Sequence, residues 1–382
     1  MLKVAMITTV RHNVGDDFVR EGVAHVLQAA LPGVSLQYEL IHKHAPSSVR
    51  HGLEAIRRTR VSRWVDAALP LWATPDRVLK ADLVIQSGAP VYWCHEGITH
   101  CADNEWYEPL VKRRLSRRDT PFLNLGAGTC QRYHSDGSEF IACDKDTRYA
   151  RELYARSLVT TLRDRLAKTI FDRLGLKAPV IPCPSIFARD SLGVDAREPE
   201  YVVLNYMRAG GHSTFGQDID PVRWEREFKA FYFALRNMER CVLACHNVAE
   251  LQEARLLDPQ AELFYSEDHG DYLRLYAGAK WGVVNRVHAA FGIASFGRPA
   301  FCVGTDSRAR MVEELGLRST FVEETSAESL WLEVEKLARL APSYGEQMLA
   351  IRTKALSDYL QALQPVRDRW DVSADLRRAS TA

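Results

Sequence analysis

The sequence is short of several things, and each shortage narrows what the protein does. No apolar run in its 382 residues approaches the ~20 that span a bilayer. The opening "MLKVAMITTVRHN" is apolar over too short a distance for a signal peptide and has no small-residue cleavage site, so it reads as a first β-strand. Neither charge sign is in surplus: 50 Lys and Arg stand against 49 Asp and Glu, a net charge of +1. No global field draws nucleic acid, and any basic site is local. The eight cysteines include no Cys-x-x-Cys pair, and reduced thiols in the cytoplasm are the expectation.

What is present is a substantial core, 46% hydrophobic against 26% charged, in a chain about twice the usual domain length. Short apolar runs alternate with amphipathic helical patterns. Strands are predicted at "KVAMITT", "SLQYELI", "ADLVIQS", "PFLNLGA" and "SLVTTLR", then at "YVVLNY", "CVLAC", "AELFY", "WGVVN" and "PAFCVG". Helices are predicted at "WEREFKAFYFALRNM" and "SRARMVEELGL". The alternation implies βαβ units and parallel sheets. A stretch near residues 182–200 reads as a linker. The expected division is a domain over 1–190, a second over 198–343, and a C-terminal helical segment over 344–382.

In doubly wound sheets ligands sit beyond the carboxyl ends of the strands, so residues that follow strands are the candidates. Asn13, Gly15 and Asp16 follow the first strand; there Gly15 allows a positive φ or close ligand approach. Gln86-Ser87-Gly88 ends the third strand. Gly126-Ala127-Gly128 ends the next, but Gln131 stands where a dinucleotide fingerprint needs its third glycine. Arg163 ends a further strand. Arg286 and His288 lie where "WGVVN" hands over to a helix, and Arg308 follows "PAFCVG". Guanidinium forks match carboxylate and phosphate, so three of them suggest a small, multiply charged ligand. Cys94, Cys101, Cys130 and Cys143, with His95 and His100 interleaved, lack metal-site spacing and read as ordinary thiols. Two basic runs, "RRTRVSRW" and "KRRLSRRD", read as solvated faces; otherwise they would hold the chain against an anionic membrane.

Three segments, "NVGDDFVREGV", "LRDRLAKTIFDRLGL" and "DYLRLYAGAKWGVVNRVHAAFGIASFGRPAFCVGTDSR", resemble the polysaccharide pyruvyl transferases. The resemblance implies two Rossmann-like domains in the arrangement of the GT-B glycosyltransferases, with an interdomain cleft. It also implies transfer of a pyruvyl group from phosphoenolpyruvate to a sugar of a glycan or lipid-linked glycan, forming a ketal without metal or cofactor. The expected location is cytoplasmic, with peripheral contact at the inner membrane face. The chain departs from the family pattern at Gln86-Ser87-Gly88, where three glycines are common, and at Ala167-Lys168, where a serine is usual. It departs again at Cys183, near which an Asp is usual, and at Arg308, which replaces a lysine. On this reading Arg163, Arg286 and Arg308 hold the donor and His288 is the acid. Protonation of His288 is expected mainly on substrate binding, because a helix N-terminus disfavours the imidazolium. Asp16 orients or deprotonates the acceptor, and Asn13, Gly15 and Gly88 line the substrate. The competing expectation is a nucleotide-sugar glycosyltransferase, with Arg286 and Arg308 on the diphosphate. A non-catalytic glycan- or anion-binding relative is the third.

Overall fold

The computed structural model describes residues 1–10, 13–44, 80–95, 99–112, 115, 119–211 and 213–370. Strand β1 (Leu2–Thr8) shows how the first sheet is built. Val4 and Met6 enter one apolar core, while Ala5 and Ile7 enter another. That is the two-residue period of a strand buried on both faces. The chain continues through α1 (Val14–Ala30), β2 (Leu36–His42), β3 (Leu83–Ser87), β4 (Pro90–Tyr92), β5 (Phe122–Thr129), α2 (Asp144–Arg156), β6 (Val159–Leu162) and α3 (Arg165–Arg173). The strands pair in parallel in the order β2-β1-β3-β5-β4, with β6 also on β5.

The second sheet uses β7 (Tyr201–Asn205), α4 (Pro221–Leu235), β8 (Cys241–Ala244), α5 (Val248–Leu257), β9 (Glu262–Phe264), α6 (His269–Ala277), β10 (Ala279–Val284), α7 (Val287–Ser295), β11 (Ala300–Gly304) and β12 (Arg318–Phe321). Its order is β12-β11-β10-β7-β8-β9, all parallel. The winding direction therefore reverses between β7 and β10, which opens a crevice beyond the ends of those two strands.

Every strand predicted from the alternation forms. β4 and β12 were not predicted: β4 has three residues, and "RSTF" carries almost no apolar signal. "SRARMVEELGL" winds as tight 3₁₀ turns over Ser307–Leu315 rather than as an α-helix. The stretch read as a linker is not an open connection. Pro184–Phe187 forms a buried 3₁₀ turn against α1, and Ile186 and Phe187 belong to the same core as Phe18 and Val23. That core also takes Phe291 and Ile293 from the second domain, so the two domains share apolar packing. The last long helix, α8 (Ala327–Ala362), begins well before residue 344, behind a capping box formed by Ser326 and Ser329. It starts on the second domain and ends on the first. The Tyr344 hydroxyl donates to Leu315 O (3.1 Å), and the Tyr359 hydroxyl to Pro182 O (3.0 Å).

Among the described residues no helix is long and apolar enough to cross a membrane. The run "RRTRVSRW" lies outside the described residues, as does most of "KRRLSRRD". Lys112, at the start of the latter, makes ion pairs with Glu108 (3.6 Å) and Glu152 (3.8 Å).

Candidate functional site

One cavity of about 90 Å³ in the cleft is lined by Asn13, Gly15, Asp16, Arg163, Arg286, His288 and Arg308. They come from strand ends of both sheets. Gly88 is the one predicted substrate residue outside the lining; Pro90, two residues on, is in it. Gly88 instead makes a turn at φ +33°, and its carbonyl accepts from Arg163 Nη1 (3.3 Å).

The first domain contributes the N-terminus of α1. The Asn13 side chain caps the helix by accepting from Asp16 N (3.4 Å). Asp16 is buried and accepts from the Thr9 hydroxyl and from Lys43 Nζ (2.9 Å). Burial alone would raise its carboxyl. The Lys43 ammonium and the Thr9 hydroxyl outweigh that and hold it well below the ordinary carboxylate range. A carboxylate held this low takes up a proton poorly, so of its two expected roles, orienting or deprotonating the acceptor, it is better suited to the first. Gly15 does not adopt a positive φ; it lies within α1. What needs a glycine there is His288 from the other domain. A methyl at position 15 would lie 3.0 Å from His288 Cγ and 3.1 Å from its Cβ, and closer still to Nδ1. The close approach at this glycine is made by a side chain of the protein itself.

The second domain contributes the β10–α7 junction at the reversal point. Arg286 N donates to Asn205 Oδ1 (2.9 Å), which ties the ends of β10 and β7 together. The Arg286 guanidinium grips Glu250, with Nε 2.9 Å from Oε1. Glu250 also accepts from Asn205 Nδ2 (3.0 Å) and His246 N (2.9 Å). Burial would raise the Glu250 carboxyl, but Arg286 and the polar groups around it hold it down. Arg308 is held by Asp306, with Nη2 2.7 Å from Oδ2. Burial opposes its charge, and Asp306 more than restores it, so Arg308 keeps its proton more firmly than an ordinary arginine. Two of the three predicted anion binders thus arrive already paired with acids.

Arg163 differs. It is 1% exposed, its Nε has no hydrogen-bond partner, and among the described residues it makes no ion pair, although the Asp164 carboxylate borders the same spot beside Gly128 as its Nε. Its Nη1 lies 3.9 Å from the Cys183 thiol, which in turn is 3.8 Å from His288 Nε2. A buried guanidinium without an acid is costly unless something anionic completes it.

The His288 ring is half-buried, with one edge open to the cavity. Burial first, then the nearby charge of Arg163, bring its pKa down to about 3; Asp16 opposes them, and Arg308 adds a smaller push downward. The dominant cause is desolvation rather than the expected helix N-terminus. His288 is thus a neutral imidazole through the ordinary pH range, and so is buried His246, held to about 4 mainly by burial.

Sequence reasoning missed Lys43, Glu250 and Asp306, which set the charge balance, and Asn205, which positions Arg286. Cys183 was noticed only as a departure from a family pattern. The cysteine grouping also changes. Cys94, His100 and Cys143 come together with Asp146, while His95 and Cys130 do not join them.

No family model matches the chain, and no curated protein matches it. Solved structures do. MnaA from S. aureus in complex with UDP aligns at TM-score 0.56 and 11% identity, over 91% of each chain. A UDP-GlcNAc 2-epimerase from Neisseria meningitidis bound to UDP-GlcNAc aligns at TM-score 0.56 and 10% identity, over 91% of this chain and 94% of that one. Sucrose-phosphate synthase from Thermosynechococcus elongatus aligns at TM-score 0.51 and 16% identity, over 97% and 100%. The fold is therefore the GT-B arrangement: two Rossmann-like α/β domains facing each other across the cleft that holds the cavity.

Proposed function

We propose that the chain is a GT-B-type transferase acting on sugars, whose donor places phosphate oxygens against Arg163, Arg286 and Arg308 at the reversal point of the second sheet. The observation that carries this reading is Arg163, a buried guanidinium with an unpartnered Nε at a cleft cavity that draws on both domains. A donor phosphate would supply the acceptor atoms it lacks. The favoured donor is a nucleotide sugar. The structural likeness to proteins solved with UDP and UDP-GlcNAc supports it. A glycosyl acceptor hydroxyl needs a base as the donor bond breaks; an imidazole held near 3 is a weak one, and the donor's phosphates, seated beside it, would raise its basicity. Asp16, fixed by Lys43, would orient that hydroxyl.

A second reading, pyruvyl transfer from phosphoenolpyruvate, rests on the sequence resemblance and on the cavity. At about 90 Å³, and with no Phe, Tyr or Trp among its described lining residues, it suits a compact donor. That reaction needs an acid at the vinyl carbon. The bound trianion would have to raise His288 by several pH units against Arg163 and Arg308.

Thermal unfolding with UDP-sugars, GDP-sugars, phosphoenolpyruvate and pyrophosphate separates the readings. Protection by a nucleotide sugar, with release of nucleoside diphosphate on adding an acceptor, supports the first. Protection by phosphoenolpyruvate, with release of inorganic phosphate, supports the second. If no phosphorylated compound protects the wild type more than Arg163→Met, the shared premise fails.

A further inference from the structure

Away from the cleft, Cys94, His100, Cys143 and Asp146 offer two sulfurs, an imidazole nitrogen and a carboxylate oxygen, all within 4.8 Å of one another. We propose that these four residues form a structural zinc site that fastens the loop after β4 to the start of α2.

The local fold explains why the ligands converge. Cys94 and His100 face each other across an antiparallel bridge just after β4. Cys143 is the N-cap residue of α2 and Asp146 stands in its first turn, a spacing that turns both side chains to one side of the helix start. The Cys143 side chain makes no capping hydrogen bond, which leaves its sulfur free for the cluster.

The distances suit a tetrahedral ion. Bond lengths of ~2.0–2.3 Å imply ligand-to-ligand edges of roughly 3.3–3.8 Å. His100 Nδ1 lies 2.8 Å from Asp146 Oδ2 and 3.5 Å from Cys143 Sγ. Cys143 Sγ is 3.1 Å from Asp146 Oδ2, and Cys94 Sγ is 3.9 Å from His100 Nδ1. These separations bracket the tetrahedral edge, so small outward shifts admit an ion.

The surroundings are also those of a metal centre. The second oxygen of Asp146 is held by Ala102 N (3.0 Å) and the Cys101 thiol (3.3 Å), which aims Oδ2 at the cluster. Asp146 is fully buried, and its sole ion pair among the described residues is to His100. A buried carboxylate of this kind is paired or coordinates a metal. The ligand set of two thiols, one imidazole and one carboxylate favours zinc over magnesium or calcium. Four protein ligands leave no open position, so the role is structural. His100 and Cys143 keep partial exposure and provide the route in.

Order at this site reaches the cleft. His95 follows Cys94 directly, bonds Cys130 O through Nε2 (2.8 Å), and stacks on Phe215 of the second domain at 3.9 Å between ring centres. Phe215 is the one non-glycine described residue at positive φ, +50°. The metal would thus stiffen the loop that carries this contact between domains. None of this depends on the identity of the donor.

The test uses the full chain, purified without chelator, with metal measured by mass spectrometry. The expected content is about one zinc per chain. Cobalt(II) added anaerobically to chelator-treated protein should give the intense visible bands of a tetrahedral ion and a near-ultraviolet thiolate charge-transfer band. Cys94→Ser with Cys143→Ser should abolish the charge-transfer band, and Asp146→Asn should weaken retention. The proposal is overturned if wild-type protein incubated with zinc or cobalt keeps less than roughly a tenth of an equivalent after dialysis. It is also overturned if bound cobalt shows no thiolate band. Both readings come from the wild type, so they stand even if the variants do not fold.

Discussion

Gly15 offers a sharp test of how the two halves of the site meet. In Gly15→Ala the new methyl carbon would stand 3.0 Å from His288 Cγ and 3.1 Å from its Cβ, whereas carbon atoms rest ~3.5–4.0 Å apart. The ring must retreat by about 0.5–1 Å. Overpacking of this kind costs ~1–3 kcal/mol, while replacing a helical glycine with alanine returns up to about 1 kcal/mol. The net loss of stability is therefore modest, roughly 0–3 kcal/mol by the same figures. The effect on function is not small, since a 1 Å displacement of a reacting group costs about 100-fold. A double-mutant cycle reads the collision without knowledge of the substrate. Gly15→Ala is made in the wild type and in His288→Ala, and urea midpoints are compared. In the His288→Ala background the penalty should vanish and the alanine become neutral or stabilising. An equal penalty in both backgrounds would refute the argument that Gly15 exists to admit His288.

Other outcomes follow from the same geometry. Arg163→Met should leave stability unchanged or raise it, since it removes a buried unpaired charge, and should abolish thermal protection by pyrophosphate or donor. Glu250→Gln should lower the urea midpoint by the equivalent of ~3–5 kcal/mol, because Arg286 loses its buried partner. Stability should fall as pH drops below 6.5. His246 is held to about 4 and His288 to about 3, so between those values and 6.5 the unfolded chain takes up protons that the folded chain refuses. His246→Gln should flatten that slope in urea titrations run at several pH values. Cys183→Asp would place a carboxylate beside both Arg163 and His288. It should move the protonation of His288 to higher pH, seen as an upward shift of the acidic limb of the pH–rate profile.

Strand positions were legible because each is an apolar run closed by a turn, and residues after strands were identified as the lining by topology alone. Seven of the eight predicted site residues line the cavity for that reason. The charge balance was not legible. Lys43 is 27 residues from Asp16, and Glu250 is 36 from Arg286. No local spacing announces a pairing made by the order of strands in a sheet. Glu250, at the third position of a helix behind Asn247, reads as an ordinary helix-start acid. Cys183 was hidden because the stretch around it reads as a linker, yet it is fully buried. Asp146 was overlooked for a similar reason: an acid in a first helical turn has an ordinary explanation.

Two covalent paths cross between the domains, and they run side by side. Arg352 on α8 pairs with Asp190 at 2.5 Å, and Tyr359 hangs on Pro182. A lid joined through a single strap can swing, twist and slide. One stitched along a double seam turns about that seam and little else. The cleft walls should then keep one placement along that seam, with His288 seated over Gly15.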